Sequence, residues 1–132
     1  MPKRPRVVGL MLCRRMGVDP VAAEASLVGL FHTFHVSSWT DPVPPFSVFA
    51  LLTGGKGEGT IKLVIRRLET EDDVYRWQRW TVFSDPDLIA QNEIVVRRCV
   101  FPAPGRYLLI LSFDGAELAN RVVTVLPREG VP

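Results

Sequence analysis

The hydrophobic positions of this chain crowd both parities of its strand-like runs. In residues 106 to 113, RYLLILSF, one parity carries Tyr107, Leu109, Leu111 and Phe113, while the other carries Leu108 and Ile110 between Arg106 and Ser112. Residues 46 to 53, FSVFALLT, set Phe46, Val48, Ala50 and Leu52 against Phe49 and Leu51, and Leu27 to Phe31 shows the same doubling. A strand with one wet face alternates, so these runs lose water on both faces and need a second cover, either from the TDPVPP loop and the N-terminal segment of the same chain or from a second protein. Across the chain, β-branched and aromatic runs are separated by Gly, Pro and Asp at fairly regular spacing, which predicts an all-β sandwich or barrel. Eight strands are expected, over residues 6 to 13, 26 to 36, 46 to 53, 60 to 68, 74 to 83, 92 to 101, 106 to 113 and 117 to 126.

The connections refine this reading. Asp114-Gly115 sits between two apolar runs, and both residues tolerate the positive φ of a type I′ turn, so the last two strands are expected to be hairpin neighbours. Asp19-Pro20 and Asp85-Pro86 each resemble an N-cap followed by proline at the first helical position, which predicts at most single helical turns over VAAEA and DLIAQ. The three prolines of residues 40 to 45, TDPVPP, exclude that stretch from a central strand.

Composition bounds the class. With 132 residues, 47% hydrophobic and 23% charged, the chain is expected to be one folded domain over 1–132, with a basic N-terminal arm at 1–5 and a tail at 127–132. The formal net charge of +2 is concentrated in Lys3, Arg4, Arg6, Arg14 and Arg15, and the remainder is acidic on balance, so the fold itself is not basic. The apolar run VVGLMLC is seven residues long and stops at Arg14, too short for a membrane span, and reads as the first strand. Two cysteines do not make a disulfide framework, and a reducing cytoplasm is the default expectation.

Four segments in order, LMLC, SLVGLF, PFSVFALLTGGKGEGTIKLVIRRLET and VFPAPGRYLLILSFDGAELANRVVTV, together resemble a family of uncharacterised bacterial proteins carried as a domain of unknown function. The closing element PxPGxYxxxxxxDG also looks like the last hairpin of many immunoglobulin-like sandwiches, with Tyr107 at the corner where a tyrosine hydroxyl holds the chain bend. The resemblance implies an immunoglobulin-like antiparallel β-sandwich of about seven to eight strands, and it brings no activity, cofactor or catalytic residue with it.

Candidate chemistry is sparse. GGKGEGT, residues 54 to 60, places Lys56 before its last glycines and a strand after them, whereas a phosphate-binding loop needs G-K-[ST] at a helix N-terminus. His32 and His35 are three apart, a spacing that on a strand sends them to opposite faces, so convergence on a metal with Cys13 and Cys99 is not expected. A Cys13 to Cys99 disulfide is a minor alternative to two small buried thiols. Ser37, Ser38, Ser84 and Ser112 lack a nucleophile elbow, and ETEDD, residues 69 to 73, lacks the spacing of a calcium loop. The expectation is therefore no enzyme, no cofactor and no metal.

What remains is arginine with tryptophan. All but Lys3, Lys56 and Lys62 of the 16 basic residues are arginine. The run VYRWQRWTVF puts Tyr75, Trp77, Arg79 and Phe83 on one face and Val74, Arg76, Gln78, Trp80 and Val82 on the other. A planar cation that forks and stacks, beside an aromatic that buries large area at low entropic cost, is the composition of interface hot spots. Arg66, Arg67, Arg76, Trp77, Arg79, Trp80 and Arg97 are the expected partner-binding residues. Their expected role, together with the outward apolar residues of the doubled runs, is protein interaction or assembly, as a homodimer or with a protein partner. The alternative is a nucleic-acid-binding module that uses the basic arm and the same arginines, stacking bases on the aromatics. The bland reading has arginine stems covering a core tryptophan, with ETEDD neutralising the charge.

Overall fold

A computed structural model of the chain describes residues 3–22 and 24–129. Among these residues, nine strands form two stacked sheets: β1 (Arg6–Asp19), β2 (Glu24–Phe31), β3 (Thr33–Val36), β4 (Phe46–Thr53), β5 (Gly57–Arg67), β6 (Asp73–Phe83), β7 (Ile89–Val96), β8 (Gly105–Phe113) and β9 (Ala116–Pro127). The four-stranded sheet runs β2-β1-β4-β7 and the five-stranded sheet runs β3-β9-β8-β5-β6. Neighbours are antiparallel except β3, which lies parallel to the end of β9. Between the sheets lie Leu10, Leu12, Phe46, Val48, Leu52, Ile94 and Val96 from one side and Ile61, Leu63, Ile65, Tyr107, Leu109, Leu111 and Val123 from the other, all buried. Each fully buried Leu, Ile or Val contributes about 1.5 to 3 kcal/mol relative to exposure. This core is the main source of stability.

The closing hairpin follows its turn chemistry. Asp114 and Gly115 have φ of 48° and 82°, and Asp114 Oδ1 also accepts the Thr60 N–H at 2.8 Å, tying the turn to β5. The Tyr107 hydroxyl donates to the Ala103 carbonyl at 2.7 Å, holding the bend before β8.

Other expectations change. Residues 26 to 36 are two strands in different sheets, because the chain crosses over at His32. Phe31 and Phe34 have opposite parity, yet their rings meet edge to face with centroids 4.8 Å apart, and no single flat strand could place both in the core. The expected strand 92 to 101 is β7, which begins at Ile89 and ends at Val96; Arg98 then adopts φ of 60° and redirects Cys99 and Phe101 into the core. No helix occurs among the described residues, and no helix is long and apolar enough to cross a membrane. Asp19-Pro20 instead turns the β1–β2 hairpin, with Asp19 Oδ1 accepting the N–H of Val21 (2.9 Å) and Ala22 (3.2 Å). At Asp85-Pro86, Asp85 Oδ1 accepts the Asp87 N–H at 2.9 Å in a turn between β6 and β7. The first residues of the expected arm are tied down: Lys3 and Lys56 exchange backbone hydrogen bonds of 2.7 and 3.0 Å, and Pro5 is buried. Met1, Pro2 and residues 130–132 of the expected arm and tail lie outside the described residues. Arg128 N–H holds the Val36 carbonyl at 2.9 Å.

Two of the three doubled runs are covered by neighbours within their own sheet. On the outer face of β4, Phe49 is 4% exposed because its sheet neighbours lie over it; Gly9, having no side chain, lets Leu51 lie within 3.5 Å and Met11 within 3.8 Å of where a Cβ would sit. On β8, Leu108 and Ile110 are half-buried beside Arg66 and Val64 of β5 in register. The TDPVPP segment does not lie over either face: Val43 packs on the core and its N–H donates to the Cys99 carbonyl at 2.9 Å, closing one end. The third doubled run, in β2, leaves Leu30 exposed, and the other most exposed apolar side chains are Val21 in the β1–β2 turn, Trp80 and Val82 of β6, and Leu88 and Ile89 at the start of β7.

Candidate protein-interaction surface

β6 is an edge strand of 11 residues, paired with β5 along one side only. Its sequence is rich in aromatic and β-branched residues, which suits a strand, and its alternation splits the candidate residues between two faces. In register with β5, Trp80 sits opposite Thr60, Gln78 opposite Lys62 and Arg76 opposite Val64, all on the outer face of the sheet. Trp77 and Arg79 sit opposite Leu63 and Ile61, facing the other sheet.

The two tryptophans therefore differ in role. Trp77 packs against the core and is half-buried. Trp80 is 61% exposed, beside Val82 at 62%, so β6 carries a large apolar side chain into water next to unpaired backbone. Burying apolar area at about 25 cal/mol per Å² favours covering such a ring.

The arginines are ordered by acids and by one amide. Asp73 bridges two of them: Arg66 Nε donates to Oδ1 at 2.8 Å and Arg76 Nε donates to Oδ2 at 3.1 Å. The hydrogen bond from Arg66 is the largest influence holding the Asp73 carboxyl below its usual range, with burial opposing it. Ionised Asp73 thus contributes stability that is present above the ordinary carboxylate pKa and lost as pH falls through its lowered value. Arg67 reaches Glu69 at 3.3 Å near the end of β5. Acids of the ETEDD turn do engage these guanidiniums, as the bland reading required. Arg79 spans the gap between the sheets: its Nη2 donates to Asn92 Oδ1 on β7 at 2.9 Å, and its guanidinium lies 5.3 Å from the Trp77 ring centroid. Asn92 is 8% exposed and its Nδ2 has no acceptor. A buried donor left unpaired costs about 1 to 3 kcal/mol.

The seven expected residues do not form one patch. Arg66, Arg76 and Trp80 share the outer face of the five-stranded sheet; Trp77 and Arg79 sit at the mouth between β6 and β7; Arg67 lies toward the ETEDD turn; Arg97 is exposed just past β7 in the other sheet. Asn92 escapes the sequence reading. Its signal is a polar residue on the inward parity of IAQNEIVV, alongside Ala90, Ile94 and Val96.

The other candidates stand apart. His32 Nδ1 is 3.0 Å from Thr33 Oγ1 in the β2–β3 crossover, and His35 is exposed on β3. Among the described residues, His, Cys, Asp and Glu side chains form no group of three that could hold a metal ion. Cys13 and Cys99 are both free and buried, and burial pushes the Cys99 thiol up to about 12. In GGKGEGT, Gly59 packs so tightly that an added Cβ would lie 2.5 Å from Phe113 Cζ, a packing reason for that glycine.

In overall fold the chain is similar to an immunoglobulin-like protein from Pseudomonas aeruginosa, known from its crystal structure, with a TM-score of 0.50 and 11% sequence identity over 93% of this chain and 97% of that one. No protein-family model matches the chain, and no curated protein matches it. The likeness carries the fold alone: this is an all-β, immunoglobulin-like sandwich.

Proposed function

We propose that this chain is a non-catalytic protein-interaction or assembly module of a bacterial cytoplasm, associating with itself or docking a protein partner through β6 and the adjoining outer face of its sheet. The observation that carries the reading is Trp80, 61% exposed on an open edge strand between Arg76 and Val82. An exposed tryptophan with an arginine on the same face is what a docking surface needs, and unpaired strand backbone adds directional hydrogen bonds. Two free buried thiols suit a reducing compartment.

Nucleic-acid binding through the same arginines is the weaker alternative. Arg66, Arg67 and Arg76 already have carboxylate partners, which leaves less free positive charge for phosphates. Nucleic-acid affinity falls steeply with salt through counterion release, whereas association through apolar contacts scarcely responds.

Static light scattering over a wide concentration range tests the reading. The expected result is mass that rises with concentration, together with a Trp80→Ala variant that melts within about 0.5 kcal/mol of the parent yet no longer associates. A mass that stays that of the monomer at every concentration overturns self-association, and an alanine variant that associates like the parent overturns the role of β6.

A further inference from the structure

Resting on that reading, we propose that the partner seated on β6 is a second copy of this chain, paired antiparallel over Tyr75–Thr81 about a two-fold axis at Gln78, so that two five-stranded sheets become one of ten strands. The open side of β6 presents backbone N–H and C=O groups with no strand beyond it. Of the devices that blunt natural edges, Asp73–Phe83 lacks proline, lysine and short length, and its charged Arg76 and inward-facing Arg79 are already held by Asp73 and Asn92.

The sequence YRWQRWT is complementary to itself when reversed about its central glutamine. In an antiparallel pair centred there, Arg76 lies opposite Trp80 of the second copy, Trp77 opposite Arg79, and Gln78 opposite itself. Directly opposed residues must share a face. They do, since Arg76, Gln78 and Trp80 all face outward and Trp77 and Arg79 both face the other sheet. Each copy thus meets an arginine with a tryptophan twice, once on each face, an arrangement favoured by cation–π attraction. Arg76 can stack without releasing Asp73, because its hydrogen bonds use the edge of the guanidinium and leave the plane free. Shifting the axis by one residue places Arg79 opposite itself or draws in Val74, the residue displaced by the register shift between β5 and β6. Interfaces with two-fold symmetry require this kind of self-complementarity.

The test uses charge at the axis. Gln78 is exposed, so Gln78→Lys and Gln78→Glu should both fold, with thermal melts matching the parent. Each variant alone sets like charges against each other across the axis and is expected to dissociate, its dimer affinity falling about tenfold or more. An equimolar mixture, with one variant labelled with nitrogen-15, should restore a heterodimer seen by native mass spectrometry. A parent that is monomeric at all concentrations overturns the pairing, as does a mixture that stays monomeric. If dimers persist in both Gln78 variants but vanish in Trp80→Ala, the two-fold pairing fails while the docking role of β6 stands; if they persist in all three, both fail.

Discussion

The two flanks of the sandwich are each spanned by an arginine, and they differ in what that arginine finds. On the flank formed by β1, β2, β3 and β9, Arg121 Nε donates to the Leu10 carbonyl at 2.6 Å. That bond takes up a backbone acceptor at a point where β1 has β4 on one side and β2 has not yet joined on the other. The outermost strand of this sheet edge, β3, has only four residues, with Phe34 and Val36 buried. On the flank formed by β6 and β7, Arg79 finds the Asn92 amide, which keeps an unpaired Nδ2, and the outermost strand is 11 residues long with Trp80 in water. On the first flank the five-stranded sheet ends in a short, buried strand, although β2, the edge of the other sheet there, leaves Leu30 in water; on the second flank the outer side of β6 and the Asn92 Nδ2 have no partner among the described residues. A single sheet can thus end in a short buried strand on one side and a long exposed strand on the other, and the proposed function assigns docking to the second.

The largest expected contrast comes from one aromatic on each flank. Phe34→Ala removes a ring packed against Phe31, Phe46 and Phe101 and should lower unfolding free energy by about 3 to 5 kcal/mol, whereas Trp77→Ala, at a half-buried position, should cost roughly 2 kcal/mol; denaturant titration measures both. Equal losses would mean that the second flank is as tightly packed as the first. Next in size, Arg121→Ala leaves the Leu10 carbonyl without its charged donor and should cost about 1.5 kcal/mol by the same titration, with no change in association. Smallest, Asn92→Asp replaces the orphaned donor with an acceptor for Arg79 and should raise stability by about 1 kcal/mol, seen as a higher melting temperature at neutral pH. A loss instead would show that the carboxylate's desolvation outweighs its pairing.

Much of the framework was legible in residue types alone. Asp114-Gly115 specified its hairpin through backbone chemistry, Tyr107 its corner through one hydroxyl, and the parity of VYRWQRWTVF the two faces of β6. The crossover at His32 was hidden because apolar residues continue on both sides of it; the parity change from Phe31 to Phe34 was its only mark. Asp-Pro pairs misled because the same aspartate that caps a helix also closes a tight turn, and the residues that follow Pro20 and Pro86 pass into strands after that turn. Outward-facing apolar residues did not translate directly into exposure, since cover came from neighbours within the sheet: Met11 and Leu51 at Gly9, and Arg66 and Val64 beside Leu108 and Ile110. Of the site, the exposed tryptophan could not be told from the packed one until the core was in place, because both are flanked by arginine on the same strand. Asn92 was missed because its role depends on a residue of the opposite sheet, a contact that no local pattern encodes.

Amide hydrogen exchange followed as a function of protein concentration addresses the β6 edge most directly. If β6 is the contact strand, alternate amides within Tyr75–Thr81, those pointing away from β5, gain protection as concentration rises, while amides of β3 on the opposite edge stay unchanged. Exchange along β6 that is the same in dilute and concentrated protein, or protection that grows on β3 instead, contradicts the account.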